Sequence, residues 1–303
     1  MKRFAIIAAL VLAALQSFGA VRLPAVLSDG MVLQRNQPIK IWGWADSNER
    51  FEISWNGATY PVAADADGRW EIELPAMPAG GPYAMKVGDI ELHDILIGDV
   101  FLCSGQSNME LPVRRVTDMF AEEIAGYENS FIRHYAVPQT FDFNAEQEDT
   151  PASSWKPCTQ ENVMSFSALA YFFAKELYEK TGVPVGLVNA SWGGTPVEAW
   201  MSENALQAFP KYINEKRLYE DTCYLQRIKQ LEGEDFHRWN TVLDQGDPGL
   251  NGDVKWYSPE LNDSGWRTVD MFSKEWGNDG LNPVGGSHWL RKDVMIPADM
   301  AGR

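Results

Sequence analysis

A serine does acyl-transfer chemistry only when a base takes its proton and N–H donors meet the oxyanion that forms on the acyl carbon. The candidate here is Ser107 in "CSGQSNME", directly after the apolar run "GDVFLC". A serine just past a buried strand is held rigidly, faces the crevice at the strand end and aims its own N–H at the developing charge. Gly105 permits a sharp turn before it, while Gln106 and Asn108 set amides beside it that can orient a substrate or donate hydrogen bonds. A second element is "SWGGTPVEAW", where Gly193 and Gly194 follow another apolar run. A Gly-Gly turn lets backbone approach a ligand and offers free N–H groups, so either glycine is a candidate second oxyanion donor. Each stretch alone is also ordinary turn chemistry; their shared position at strand ends favours the chemical reading. The Gly-x-Ser-x-Gly elbow of the α/β-hydrolases is excluded, because Met109 stands where its last glycine would be.

A base is harder to find. His93 precedes the serine strand, His134 sits inside an apolar strand pattern where a satisfied core histidine is expected, His237 lies in a charged helical stretch and His288 in a Trp-rich tail. None shares the strand-end context of Ser107. Cys103, Cys158 and Cys223 lie far apart, so the sequence predicts neither a metal cluster nor a disulfide framework, though one pair could form in an oxidising compartment. Cys103, lodged in an apolar run, reads as a small core residue. No metal ligand set is expected, and the chemistry calls for no cofactor.

The elements that must position these residues follow from periodicity. From about Val21 to Asp94, apolar residues alternate with polar ones (Phe51, Ile53, Trp55; Trp70, Ile72, Leu74; Tyr83, Met85, Val87), punctuated by Asn56-Gly57 and Asp67-Gly68. This predicts a small β-sandwich over 21–94 with its aromatics facing the core. From Ile95 the pattern changes to strand, turn and helix. "DVFLCS" reads as a strand covered on both faces and "FIRHYAVP" as a second. Ser165 or Ser167 caps a helix with Leu169, Phe172, Phe173 and Leu177 at helical spacing and Gly182 just past its end, and "VPVGLVNAS" is a strand entering the glycine turn. This is βαβ syntax over 95–245, with a parallel sheet and functional loops at the carboxyl ends of its strands. A charged helix carrying Leu218, Leu225 and Ile228 on one face is expected to pack on that sheet, and "DQGDPGLNGD" to be a linker. After it, 254–303 is Trp-rich and strand-like, resembling the beginning of a further domain.

Forty-two acidic against 26 basic residues give a formal charge of −16 with no basic run, which would repel a phosphate backbone; nucleic acid is excluded as a partner. Lys2 and Arg3, an apolar stretch from Phe4 to Leu15 and small residues after it have the layout of a secretory signal peptide over 1–20, cut after Gly19 or Ala20. That stretch is short for a membrane span, so a secreted or periplasmic protein without a stable membrane anchor is expected.

"GDVFLCSGQSNM" and "SWGGTPVEAW", preceded by "SDGMVLQRNQPIKIWG" and "DADGRWEIELPAMPAGGPY", resemble the bacterial sialate O-acetylesterase family of SGNH (GDSL-like) hydrolases. The resemblance implies a flavodoxin-like α/β/α core behind a small β-sandwich, and hydrolysis of acetyl esters on sugars through an acetyl-serine intermediate. By the same match Ser107 is the nucleophile and first oxyanion donor, and Gly193 to Thr195 form the glycine block that supplies the second. Gln106, Asn108, Thr195 and Glu198 are the candidate substrate-binding residues. Family members insert a jelly-roll domain after the "EAW" segment, and the tail from about Val254 matches its start. The family's asparagine and Asp-x-x-His blocks follow that insert and match nothing up to Arg303, so this chain is expected to hydrolyse acetyl esters poorly by itself. Two competing expectations are a non-catalytic carbohydrate-binding protein built on the β-sandwich and the tryptophans, and an acetylesterase for plant polysaccharide.

Overall fold

The alternating stretches of the N-terminal region fold as strands, each turning one apolar face inward and one polar face out. In the computed structural model, which describes residues 21–269 and 288–300, they are β1 (Val32–Gln34), β2 (Ile39–Trp44), β3 (Arg50–Trp55), β4 (Ala58–Ala63), β5 (Arg69–Leu74) and β6 (Gly80–Val87). β3 and β4 form a hairpin across Asn56 and Gly57, whose φ values of 48° and 79° are the positive pair that a two-residue turn needs. β2 and β5 pair as a separate antiparallel ribbon. Their inward residues Ile41, Trp70 and Leu74 share one core with Ile53, Trp55, Met85 and Val87 of the larger sheet. The expected signal peptide lies outside the described residues. Among the described residues no helix is long and apolar enough to cross a membrane.

The strand β7 (Ile90–Gly105) positions the site. Its first half pairs antiparallel with β6, and Leu96–Gly98 pair in parallel with β1. Asp99–Gly105 then pair in parallel with β10 (Val185–Ser191), which is also parallel to β8 (Asn129–Ala136), and β9 (Trp155–Cys158) closes the edge antiparallel to β8. One mixed sheet results, in the order β4-β3-β6-β7-β10-β8-β9. The expected division between residues 94 and 95 falls inside this continuous strand. There the buried Arg133 guanidinium ties β8 to it, donating to the carbonyls of Gly30, Asp94 and Ser130 and to the Asp94 carboxylate.

Helix α1 (Ser107–Glu110) follows β7 at once. Helix α2 (Ala168–Thr181) starts at the cap Ser167, whose Oγ accepts from the Ala170 N–H, and stops at Gly182. Its buried face differs from the expected stripe. Ala170, Tyr171 and Ala174 are buried against Ile132, Val185 and Leu187, while Leu169 and Phe173 are exposed by about half. Alanines let the helix axis approach the sheet, and the larger apolar residues are displaced to its flanks; Phe173 there meets Phe101 edge-on, with ring centres 4.9 Å apart. Nor is the β7 strand covered on both faces. Phe101 and Cys103 pack on the α2 side, but Leu102 on the other face is 71% exposed.

The described chain divides into two compact units, Met1–Asn214 and Glu215–Arg303. Helix α3 (Pro210–Tyr219) runs across the division. Helix α4 (Thr222–Gly246), which carries Leu225 and Ile228, buries none of its residues, and Leu218 on α3 is exposed. The expected linker is instead the end of α4 and a short helix α5 (Pro248–Asn251), capped by Asp247 and started by a proline. No strand occurs among the described residues from 254 onward. Polar anchoring replaces a ladder. The Trp289 indole donates to the Asp247 carboxylate at 2.9 Å, Trp256 packs edge-on against Trp266 and Trp289, and Arg291 donates to the carbonyls of Trp256 and Ser258.

Candidate active site

Ser107 opens α1 at the carboxyl end of β7 and is exposed. The turn that lifts it off the strand needs Gly105, whose φ of +141° is a conformation L side chains rarely adopt. Behind it, α1 is fixed to the start of α2: Ala168 N–H donates to the Leu111 carbonyl at 2.8 Å, and Val113 N–H to the Phe166 carbonyl at 2.9 Å. The serine therefore stands on a strand end braced from below.

β10 delivers the glycine turn to the same place. Register pairs Ser191 with Gly105, and Trp192 N–H extends the ladder to the Gly105 carbonyl at 3.0 Å. A Cβ built on Gly193 would touch Cα and Cβ of Ser107 at 3.4 Å and lie 2.8 Å from Glu110 Oε2, so a side chain here would have to push the Glu110 carboxylate aside. Gly194 turns the chain away with φ +80° and open space around it. The Gly193 N–H donates to Glu110 Oε2, and Glu110 Oε1 accepts from Gln139 Nε2 at 3.0 Å. Gln139 Nε2 also reaches the Ser191 carbonyl at 3.1 Å.

The structure brings Ser107, Gly193 and Gly194 together, as their strand-end positions require. The remaining candidates divide. Gln106 Nε2 donates to the Thr195 carbonyl, and the Thr195 hydroxyl donates to the Trp192 carbonyl at 2.7 Å while accepting from Trp200 Nε1 at 2.8 Å. Both side chains hold the glycine loop. Asn108 is exposed with no hydrogen bond among the described residues, and Glu198 is half-buried in the single turn Val197–Trp200. An aromatic group borders the loop, Phe141 lying 6.3 Å from Trp192 and 5.8 Å from Phe143 between ring centres. Glu110 and Gln139 were not among the sequence candidates. The Ser-x-x-Glu spacing of residues 107 and 110 is the one signal that could have found the first.

Neither histidine of the first unit bonds to Ser107. His93 is exposed and within 3.9 Å of Glu91. His134 is buried as expected but not satisfied: its ring stacks on Phe166 at 4.6 Å, Nε2 has no hydrogen-bond partner, and burial with a smaller effect of Lys156 lowers its pKa to about 4. His237 lies exposed on α4. Among the described residues, the three thiols are free and no group of three or more His, Cys, Asp and Glu side chains could hold a metal ion. Burial raises the pKa of Cys103, the mark of an inert core thiol rather than a reactive one.

An exposed serine on the turn after a parallel strand, with a glycine turn from the next strand beside it in an α/β framework, is an arrangement on which a serine-hydrolase site can be built. Comparison narrows this. Residues 97–243 match the family model described as carbohydrate esterase, sialic acid-specific acetylesterase. The sialate O-acetylesterases of Pongo abelii and Homo sapiens are 32% and 31% identical over 214 and 212 residues, each match covering 62% of this chain and 40% of the relative. A solved structure described as a novel carbohydrate acetylesterase from Xanthomonas citri is 41% identical with a TM-score of 0.59, covering 62% of this chain and 44% of that one. The likeness to the sialic acid-specific acetylesterase family thus lies in residues 97–243. The chain spans about two-fifths of the length of the curated relatives it matches.

Proposed function

We propose that this chain carries the nucleophile half of a serine esterase site that removes O-acetyl groups from sugars, sialic acid first among them. The observation that carries the reading is the place of Gly193 beside Ser107 at the end of β7, where a Cβ on the glycine would meet Cα and Cβ of Ser107 at 3.4 Å. Ser107 Oγ attacks the acetyl carbonyl carbon, its proton passes to a base, and the oxyanion takes hydrogen bonds from the Ser107 N–H and from the glycine turn. Collapse expels the sugar hydroxyl, and water then releases acetate from the acetyl-serine. In this reading Asn108 and Glu198 contact the substrate, while Gln106 and Thr195 shape the loop. The names of the relatives, sialate O-acetylesterase and carbohydrate acetylesterase, support an acetylated sugar as substrate.

The finer architecture belongs to the same proposal: a leader over 1–20 that directs export, a β-sandwich over 21–94, a flavodoxin-like SGNH core over 95–245 and the start of a jelly roll from 254. His93 and His134 are not the base. General-base assistance is worth about 10²–10⁴-fold, so the rate depends on which group takes the Ser107 proton. Acetate release from O-acetylated sialic acid and from acetylated xylo-oligosaccharide tests the reading. Slow release lost in Ser107→Ala supports it, with the preferred sugar naming the substrate. Release that persists in Ser107→Ala, or saturable sugar binding with no release, overturns it.

A further inference from the structure

The two N–H groups of the glycine turn are not equivalent. Gly193 N–H is already taken by Glu110 Oε2, whereas Gly194 N–H has no partner among the described residues and its glycine faces open space. Glu110 is the last residue of the same short helix that Ser107 opens, so its carboxylate joins the nucleophile's turn to a loop 83 residues away in sequence. Its second oxygen is held by Gln139, which also bonds the Ser191 carbonyl at the end of β10. A carboxylate with donors on both oxygens is fixed in place, and bonds of this charge-assisted kind are stronger than neutral ones.

We propose that Glu110 is the positioning residue of the site: it clamps the Gly193 N–H so that the glycine turn sits on Ser107, and thereby assigns the second oxyanion contact to the Gly194 N–H. Gln139 secures the clamp from the far side. The catalytic consequence rests on Ser107 being the nucleophile; the clamp itself does not. Loss of the carboxylate frees the turn to move off Ser107 and releases a competing donor.

The amide of Gly193 reports on this directly. Labelling with ¹³C-carbonyl tryptophan and ¹⁵N-glycine selects three amides in the full chain, those of Gly43, Gly193 and Gly277, each preceded by tryptophan. In the parent protein the Gly193 amide is expected to exchange slowly with solvent. In Glu110→Ala its exchange is expected to rise about ten- to a hundredfold, the weight of one hydrogen bond to a charged group. Glu110→Gln, which keeps an acceptor but no charge, falls between. The Gly43 amide, in β2, serves as the folding control. Equal exchange of Gly193 in parent and Glu110→Ala with Gly43 unchanged overturns the clamp. If Glu110→Ala disturbs Gly43, the milder Glu110→Gln decides, and Gly193 exchange equal to the parent's there overturns it. Ser107 labelling by a fluorophosphonate distinguishes the two claims: a parent chain whose Ser107 labels no faster than its other serines over a prolonged incubation refutes the esterase reading, while the amide result still judges Glu110.

Discussion

His134 makes the stability of this protein depend on pH in a way one substitution can isolate. The side chain is 3% exposed, lies opposite Lys156 in the β8–β9 register and has an unpartnered Nε2. Burial, reinforced by Lys156, moves its pKa from 6.5 to about 4. Between those values the unfolded chain holds a proton that the native protein does not, so stability rises with pH across the window. It is fully present above the unfolded pKa and is lost as pH falls toward the native one. At 1.36 kcal/mol per unit, the neutral ring accounts for about 3 kcal/mol of native stability lost between pH 7 and pH 4. His134→Phe removes the titration and keeps a ring to stack on Phe166. Urea denaturation followed by tryptophan fluorescence at several pH values measures both proteins. Carboxylate protonation weakens both alike, so the difference between the two curves belongs to His134. The parent is expected to lose about 3 kcal/mol more than the variant on acidification; parallel curves would refute the reasoning.

Two other perturbations test the framework beneath the site. Arg133→Met leaves the carbonyls of Gly30 and Ser130 without their Arg133 donor and the exposed Asp94 without its ion pair, and should cost about 1–3 kcal/mol for each carbonyl left unpaired in urea titrations. A loss under 1 kcal/mol would show that the guanidinium does not fasten β8 to β7. Ser167→Ala removes the acceptor of the Ala170 N–H and should cost about 1 kcal/mol, read as a lowered melting temperature with the far-UV spectrum unchanged.

What could be read from the sequence was local. Asn56-Gly57 specifies its hairpin because no other common pair adopts two positive φ angles so readily, and Ser167 and Gly182 mark a helix whose ends they chemically complete. Ser107 and the glycine pair were legible for the same reason, since strand followed by small polar residues is a local pattern. What escaped were relations between distant segments. β7 takes three different partners along its length, and alternation says which face is buried but not which neighbour covers it. Leu102 and α4 look apolar enough for a core and are left exposed, because periodicity detects a face without its partner. In α2, counting large apolar residues favoured Leu169 and Phe173, whereas close approach to the sheet selected the alanines. The Glu110 contact with Gly193 is of the same distant kind.

The central claim is that Ser107 is an attacking group held in an oxyanion-binding turn, and covalent capture tests it most directly. The 303-residue chain would be incubated with a fluorophosphonate, digested and mapped by peptide mass spectrometry beside Ser107→Ala. An adduct is expected on the peptide containing Ser107, slow to form where no base takes the hydroxyl proton but faster than on any other serine, and absent from the variant. Labelling of Ser107 no faster than of serines elsewhere in the folded protein would contradict this.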